Sequence, residues 1–200
     1  VAYAEADNNV ILPENTSVDG IWSSIYDGIN VANNVISKVP AIPGLTEAQA
    51  TGALAELYFI RALHHFNLLN YFGAIPLKTI PTIGLTEINV PRDNVDAVYD
   101  QIITDLRFAA EHLPASGSKI RASGLAADAL LARVYLYKKD YTNAAASAFK
   151  VISSGTYSLL PSYDAIFASE QNSESIFEID YTALDRNRIA EYNFPLAENG

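Results

Sequence analysis

The chain has 200 residues, of which 50% are hydrophobic, enough for one well-buried domain without requiring two. Its net charge of −10, from 13 basic and 23 acidic side chains, argues against nucleic acid and anionic lipid as partners, because both demand clustered Lys and Arg. Cysteine is absent, which excludes a disulfide framework, a thiolate nucleophile and a Cys-ligated metal.

Residues 1–19 carry no helical period and are rich in Asn, Asp and Pro, so they read as an irregular segment. A first helix is expected from about Asp19, taken as its N-cap, to Val39, before Pro40 and Pro43 break the chain. The second opens at Thr46–Glu47 and stops at Gly73, a residue suited to a left-handed cap; Pro76 cannot continue it. At 100° per residue, Ala55, Tyr58, Phe59, Ala62, Phe66 and Leu69 fall on one apolar face. Leu54, Leu57, Ile60 and Leu68 lie on the opposite side, so this helix must be covered on both sides by other helices. A membrane span fails here, because Glu56, Arg61, His64, His65, Asn67 and Asn70 would face lipid.

Residues 74–91 hold four turn-forming residues, Pro76, Pro81, Gly84 and Pro91, and predict a long extended loop. Asp93 or Asn94 caps a third helix that closes at Leu113–Pro114. Ser123 caps a fourth that ends near Lys139, and Asp140–Tyr141 turns tightly into a fifth that ends at Gly155. A short strand is expected over Ser175–Tyr181. It would place Ile176, Glu178 and Asp180 on one face and Phe177, Ile179 and Tyr181 on the other.

One repeat pattern can be tested by spacing. A tetratricopeptide (TPR) pair asks for Leu-Gly/Ala-x2-Tyr on its first helix and Ala-x3-Phe/Ala on its second. Leu131, Ala132 and Tyr135 meet the first requirement, and Ala144 with Ala148 the second; Asp128 stands where the pattern prefers Trp. Residues 123–155 form the best such pair, with a weaker echo at Leu54, Ala55 and Tyr58. The expected fold is mainly α: TPR-like stacked helical hairpins, an α–α superhelix in a single domain, with long loops and a short strand near the C-terminus. Phe59, Ala62, Phe66, Leu130, Val134 and Tyr135 are its expected core.

Catalytic chemistry finds little purchase. His64 and His65 diverge by 100° on a helix and cannot share a metal ion without distortion; packing is the expected role. Glu56, Asp105, Asp128, Glu178 and Asp180 show no spacing that singles out an acid–base pair. Arg61 and Asp105 sit in apolar helical stretches and are expected to form a buried ion pair or a capping contact. No GxSxG elbow or phosphate loop occurs, and neither an enzyme nor a cofactor nor a metal site is expected.

Several segments carry a family resemblance. ALAELYFIRALHHFNLLNYFGAIPLKT from Ala53 to Thr79 resembles the helix and turn of the SusD/RagB family. In the same order come IWSSIYDGINVANNVI at Ile21–Ile36, the Pro91–Pro114 and Arg121–Leu160 stretches, and ESIFEIDY at Glu174–Tyr181. The resemblance implies a surface glycan-binding lipoprotein of the outer membrane. Such a protein works with a SusC-like TonB-dependent transporter by noncovalent capture and handover of oligosaccharide. It also implies a longer protein with a lipidated Cys, so this chain is expected to be an N-terminal piece, with the anchor and part of the glycan site outside it.

A sugar site needs aromatic faces for C–H surfaces and amides or carboxylates for hydroxyls. Trp22 lies four residues before Tyr26 on one face of the first helix, although Ile25, Ile29 and Val35–Ile36 favour core packing there. Tyr3, Asp7, Asn8 and Asn9 occupy the irregular segment. With Trp22 they are the candidate ligand contacts. The competing reading is a TPR-type protein-interaction scaffold with no sugar ligand, for which further helical repeats in the flanking sequence would be the sign.

Overall fold

The structure, a computed structural model, describes residues 5, 8–12, 14–84 and 90–181. Among these residues five α-helices follow one another: α1 (Thr16–Lys38), α2 (Glu47–Phe72), α3 (Val95–His112), α4 (Gly124–Tyr137) and α5 (Tyr141–Ser153). Each packs on the next in sequence, so α2 lies between α1 and α3, as its two apolar sides require. Short 3-10 turns at Val39–Ala41 and Tyr163–Phe167 complete the regular structure.

Local chemistry sets most of the ends. Thr46 and Gln49 form a reciprocal capping box at the start of α2. Asn94, Ser123 and Asp140 accept backbone N–H groups at the starts of α3, α4 and α5. The start of α1 differs from expectation. Asn15, not Asp19, is its cap, and the Asn15 Oδ1 accepts from Ser17 N at 3.0 Å and Val18 N at 3.2 Å. Asp19 instead sits in the first turn, where its carboxylate meets the positive end of the helix dipole. Gly73 ends α2 at φ 69 and ψ −132, outside the left-handed helical region and open at low cost only to glycine.

The core expected from periodicity is the core observed. Phe59, Ala62, Phe66, Leu130, Val134 and Tyr135 are all buried, joined by Ile29, Leu68, Ile102 and Leu106. Helix α1 crosses α2 closely at Gly28, where an added Cβ would stand 2.7 Å from the His64 Nε2. The TPR-like pair is α4–α5. Asp128, in the place of the pattern's Trp, is buried and accepts from Lys150 Nζ across the hairpin at 3.0 Å.

The short strand is not formed. Residues 175–181 run extended, and the backbone bond from Glu178 N to Lys119 O at 2.8 Å is the tie to the body. Without a neighbouring strand among the described residues no ladder can form. Nor does alternation divide the segment into an inner and an outer face. Ile176 and Phe177 both pack on the core, with the Phe177 ring 5.1 Å from Phe59.

Candidate functional site: a cleft on the first helix

Trp22, Tyr26, Ile29, Asn30 and Asn33 recur at helical spacing along one face of α1 and form one wall of a cleft. Pro76, Lys78, Thr82 and Val90 supply the other wall, and Asp27 stands on the rim. The cleft encloses about 340 Å³, the lower end of the range for small-molecule sites and room for one or two sugar rings.

Side chains of α1 clamp the far wall in place. Tyr26 OH donates to the Pro76 carbonyl at 2.7 Å, and Asn33 Nδ2 donates to the carbonyls of Lys78 and Ile80, each at 3.1 Å. Asn30 Oδ1 accepts from Thr82 N at 2.9 Å. At the base of the segment, Asp93 Oδ2 accepts from Leu77 N at 2.8 Å. Burial pushes the Tyr26 hydroxyl well above its usual range, against the pull of Arg92 and with a push from Asp93, so it remains a neutral donor.

Beneath this wall lies the buried pair expected from sequence. Arg61 forks onto Asp105, with Nε to Oδ2 and Nη2 to Oδ1 both at 2.8 Å. Its remaining nitrogen, Nη1, donates to Asn33 Oδ1 at 2.9 Å and to the Thr79 carbonyl at 3.1 Å. One guanidinium therefore ties α1, α2, α3 and the cleft segment together. Burial raises the Asp105 pKa, opposed by bonds from Arg61 and Gln101.

Trp22 packs as its apolar neighbours on the first helix led one to expect, and it also lies at the cleft. Its indole is half-buried, 4.9 Å from the Tyr26 ring and 4.9 Å edge-on from Phe72. Asn8 and Asn9 are exposed in a turn, and the described lining of the cleft does not include them. Tyr3 and Asp7 lie outside the described residues. Sequence reasoning missed Asn30 and Asn33. Their signal was available, because they follow Tyr26 at i+4 and i+7 on the same face.

Two of the other candidate carboxylates have structural partners. Glu56 accepts from Arg121 and Glu178 from Gln171 N. No group of three or more His, Asp and Glu among the described residues could hold a metal ion. His65 is 0% exposed, with both ring nitrogens unpaired among the described atoms. Burial, with the nearby Arg61 and His64, lowers its pKa to about 3 from 6.5. The unfolded chain thus takes up a proton that the folded chain refuses. The stability tied to His65 is complete above its unfolded pKa and is lost as pH falls toward the folded one. Between pH 7 and 5 that loss should be about 2 kcal/mol. Urea unfolding across this range checks it, and in His65→Leu the slope should flatten by that amount.

Comparisons with known proteins agree with this architecture. Residues 2–136 match a SusD-like family described as starch-binding and associating with the outer membrane. A SusD-like protein of Formosa agariphila is 32% identical over 185 residues, covering 88% of this chain and 36% of the relative. A laminarin-binding SusD-like protein of known structure is 39% identical with a TM-score of 0.73, over 78% of this chain and 36% of that one. A crystal structure determined with xylogluco-oligosaccharide is 26% identical with a TM-score of 0.77, over 88% of this chain and 38% of that one. The chain thus spans about a third of the length of the relatives it matches. With the family matched over more than half of its residues and the helical fold shared with solved members, the chain belongs to the SusD-like family.

Proposed function

We propose that the full-length protein is a non-catalytic glycan-binding subunit, lipid-anchored at the outer-membrane surface, that captures oligosaccharide and hands it to a SusC-like TonB-dependent transporter. The observation that carries this reading is the family match over residues 2–136, which covers both walls of the cleft. The cleft's composition suits a sugar: an aromatic pair, amides, a hydroxyl and one charge of each sign on or near the rim. Its ligand is a neutral polysaccharide or oligosaccharide, a class supplied by the family likeness. No bond is broken; the share of the affinity that residues 1–200 supply comes from stacking on Trp22 and Tyr26 and hydrogen bonds to Asp27, Lys78 and Thr82. Tyr3, Asp7, Asn8 and Asn9 would extend the contact surface from the N-terminal segment.

Asp27 offers the cleanest test, being exposed and outside the core. A hydroxyl bonded to a carboxylate contributes about 1.5 kcal/mol or more. Calorimetric titration of the full-length protein with laminari- or xylogluco-oligosaccharide should therefore show Asp27→Ala binding about tenfold more weakly, with unchanged thermal unfolding. Equal affinity for the variant would remove the cleft from the site.

A further inference from the structure

Trp22 has one neighbour that does not line the cleft. The Arg92 guanidinium carbon lies over the indole, 6.0 Å from its ring centroid, within reach of the attraction between a cation and an aromatic face. A single nitrogen anchors this group: Arg92 Nη1 donates to the Ala74 carbonyl at 2.9 Å and to the Phe72 carbonyl at 3.3 Å. Phe72 is the last residue of α2, so its carbonyl has no partner inside the helix, and the last turn of α2 holds no basic residue. Arg92 therefore supplies both the missing donor and a cation at the negative end of the helix. Its neighbour tightens the grip. Asp93 N donates to the Ile75 carbonyl at 2.9 Å, alongside the bond from Leu77 N to Asp93 Oδ2. Residues 92–93 are thus pinned to the turn at 72–77, and the Phe72 ring meets the indole edge-on.

We infer that Arg92 is a positioning residue for the sugar platform, fixing the plane of Trp22 from outside the cleft with the C-terminal end of α2 as its anchor. The inference rests on the reading of the cleft as the glycan site. A sugar gains most from stacking on a ring that is already held, because a mobile indole must be immobilised on binding at a cost in entropy. Arg92 is itself exposed, so its hold on the ring comes from the two carbonyls and not from burial. Arginine suits the task better than lysine. Its planar guanidinium can lie along an aromatic face while its N–H groups reach carbonyls, whereas an ammonium supplies the charge without the flat contact.

A double-mutant cycle in the full-length protein tests this role, read by calorimetric titration with laminari- or xylogluco-oligosaccharide. Arg92→Ala should bind about fivefold more weakly, and Arg92→Lys should stay closer to Arg92→Ala than to the parent. Trp22→Leu keeps an apolar side chain on α1 but removes the ring. In that background Arg92→Ala should change affinity by less than about twofold, since a residue that acts through the indole has nothing left to act on. Losses that multiply in the double variant would overturn the positioning role and make Arg92 an independent contributor. Unchanged affinity in Arg92→Ala, whatever its Tm, would overturn it and leave a helix-end contact alone. Full recovery by Arg92→Lys would also overturn it, because charge without stacking would then suffice. These three results leave the cleft reading intact wherever Trp22→Leu itself weakens binding. Unchanged affinity in Trp22→Leu would overturn that reading and this inference together.

Discussion

Arg61→Ala should destabilise the protein by about 3–5 kcal/mol, the cost of stranding a buried charge. Asp105 would lose both bonds of its fork, and Asn33 Oδ1 and the Thr79 carbonyl would each lose a donor. The carboxylate sits inside the helical stack with 3% of its surface exposed, so water cannot replace what the guanidinium supplied. Removing both charges with apolar side chains of similar volume, Arg61→Met with Asp105→Leu, should cost much less than Arg61→Ala alone. Denaturant unfolding of the two variants separates the cases. If they lose equal stability, the effect belongs to packing rather than to charge. Because Arg61 also holds the Thr79 carbonyl, the single variant should loosen the cleft's outer wall, visible as faster amide exchange over residues 77–82.

Phe66→Ala should cost a similar amount, about 3–5 kcal/mol, through lost transfer energy and the cavity left behind. The ring lies in the core of α2, where it meets Tyr137 of α4 edge-on at a centroid distance of 5.3 Å. Helix α2 is held from both sides, so its neighbours cannot collapse into the gap without moving the stack. A loss under about 1 kcal/mol would mean that the site relaxes freely, and that the packing described here is wrong.

Features written in local or periodic signals were legible in the sequence. The two-sided apolar pattern of α2 placed it between other helices, and Thr46, Asn94, Ser123 and Asp140 marked starts because capping acts within three residues. The buried Arg61–Asp105 pair was also readable, since two charges in apolar stretches must find each other. Apart from the cap of α1, whose bonds to Ser17 N and Val18 N are local, what escaped depends on distant residues. Asn15 rather than Asp19 caps α1, and Asn15 Nδ2 donates to Glu5 Oε2, ten residues away, at 2.7 Å. The alternating pattern of residues 175–181 suits a strand, but pairing needs a second extended segment that local sequence cannot supply. Most of all, the cleft joins α1 to a segment some fifty residues later. Trp22 and Tyr26 marked one wall in the sequence, while Lys78 and Thr82 were invisible as its other wall.

Affinity electrophoresis of the full-length protein across neutral and anionic polysaccharides tests the central claim most directly. Gels containing laminarin, xyloglucan and starch should be run beside gels containing alginate and a sulfated galactan. Marked retardation by at least one neutral glycan and none by the anionic ones is the expected result. Residues 1–200 alone should show weak retardation or none, since half of the converging contacts would be missing and the cost of immobilising the ligand would remain. Normal migration of the full-length protein through every gel, together with a stable complex with a soluble protein, would contradict glycan capture and leave a helical interaction scaffold in its place.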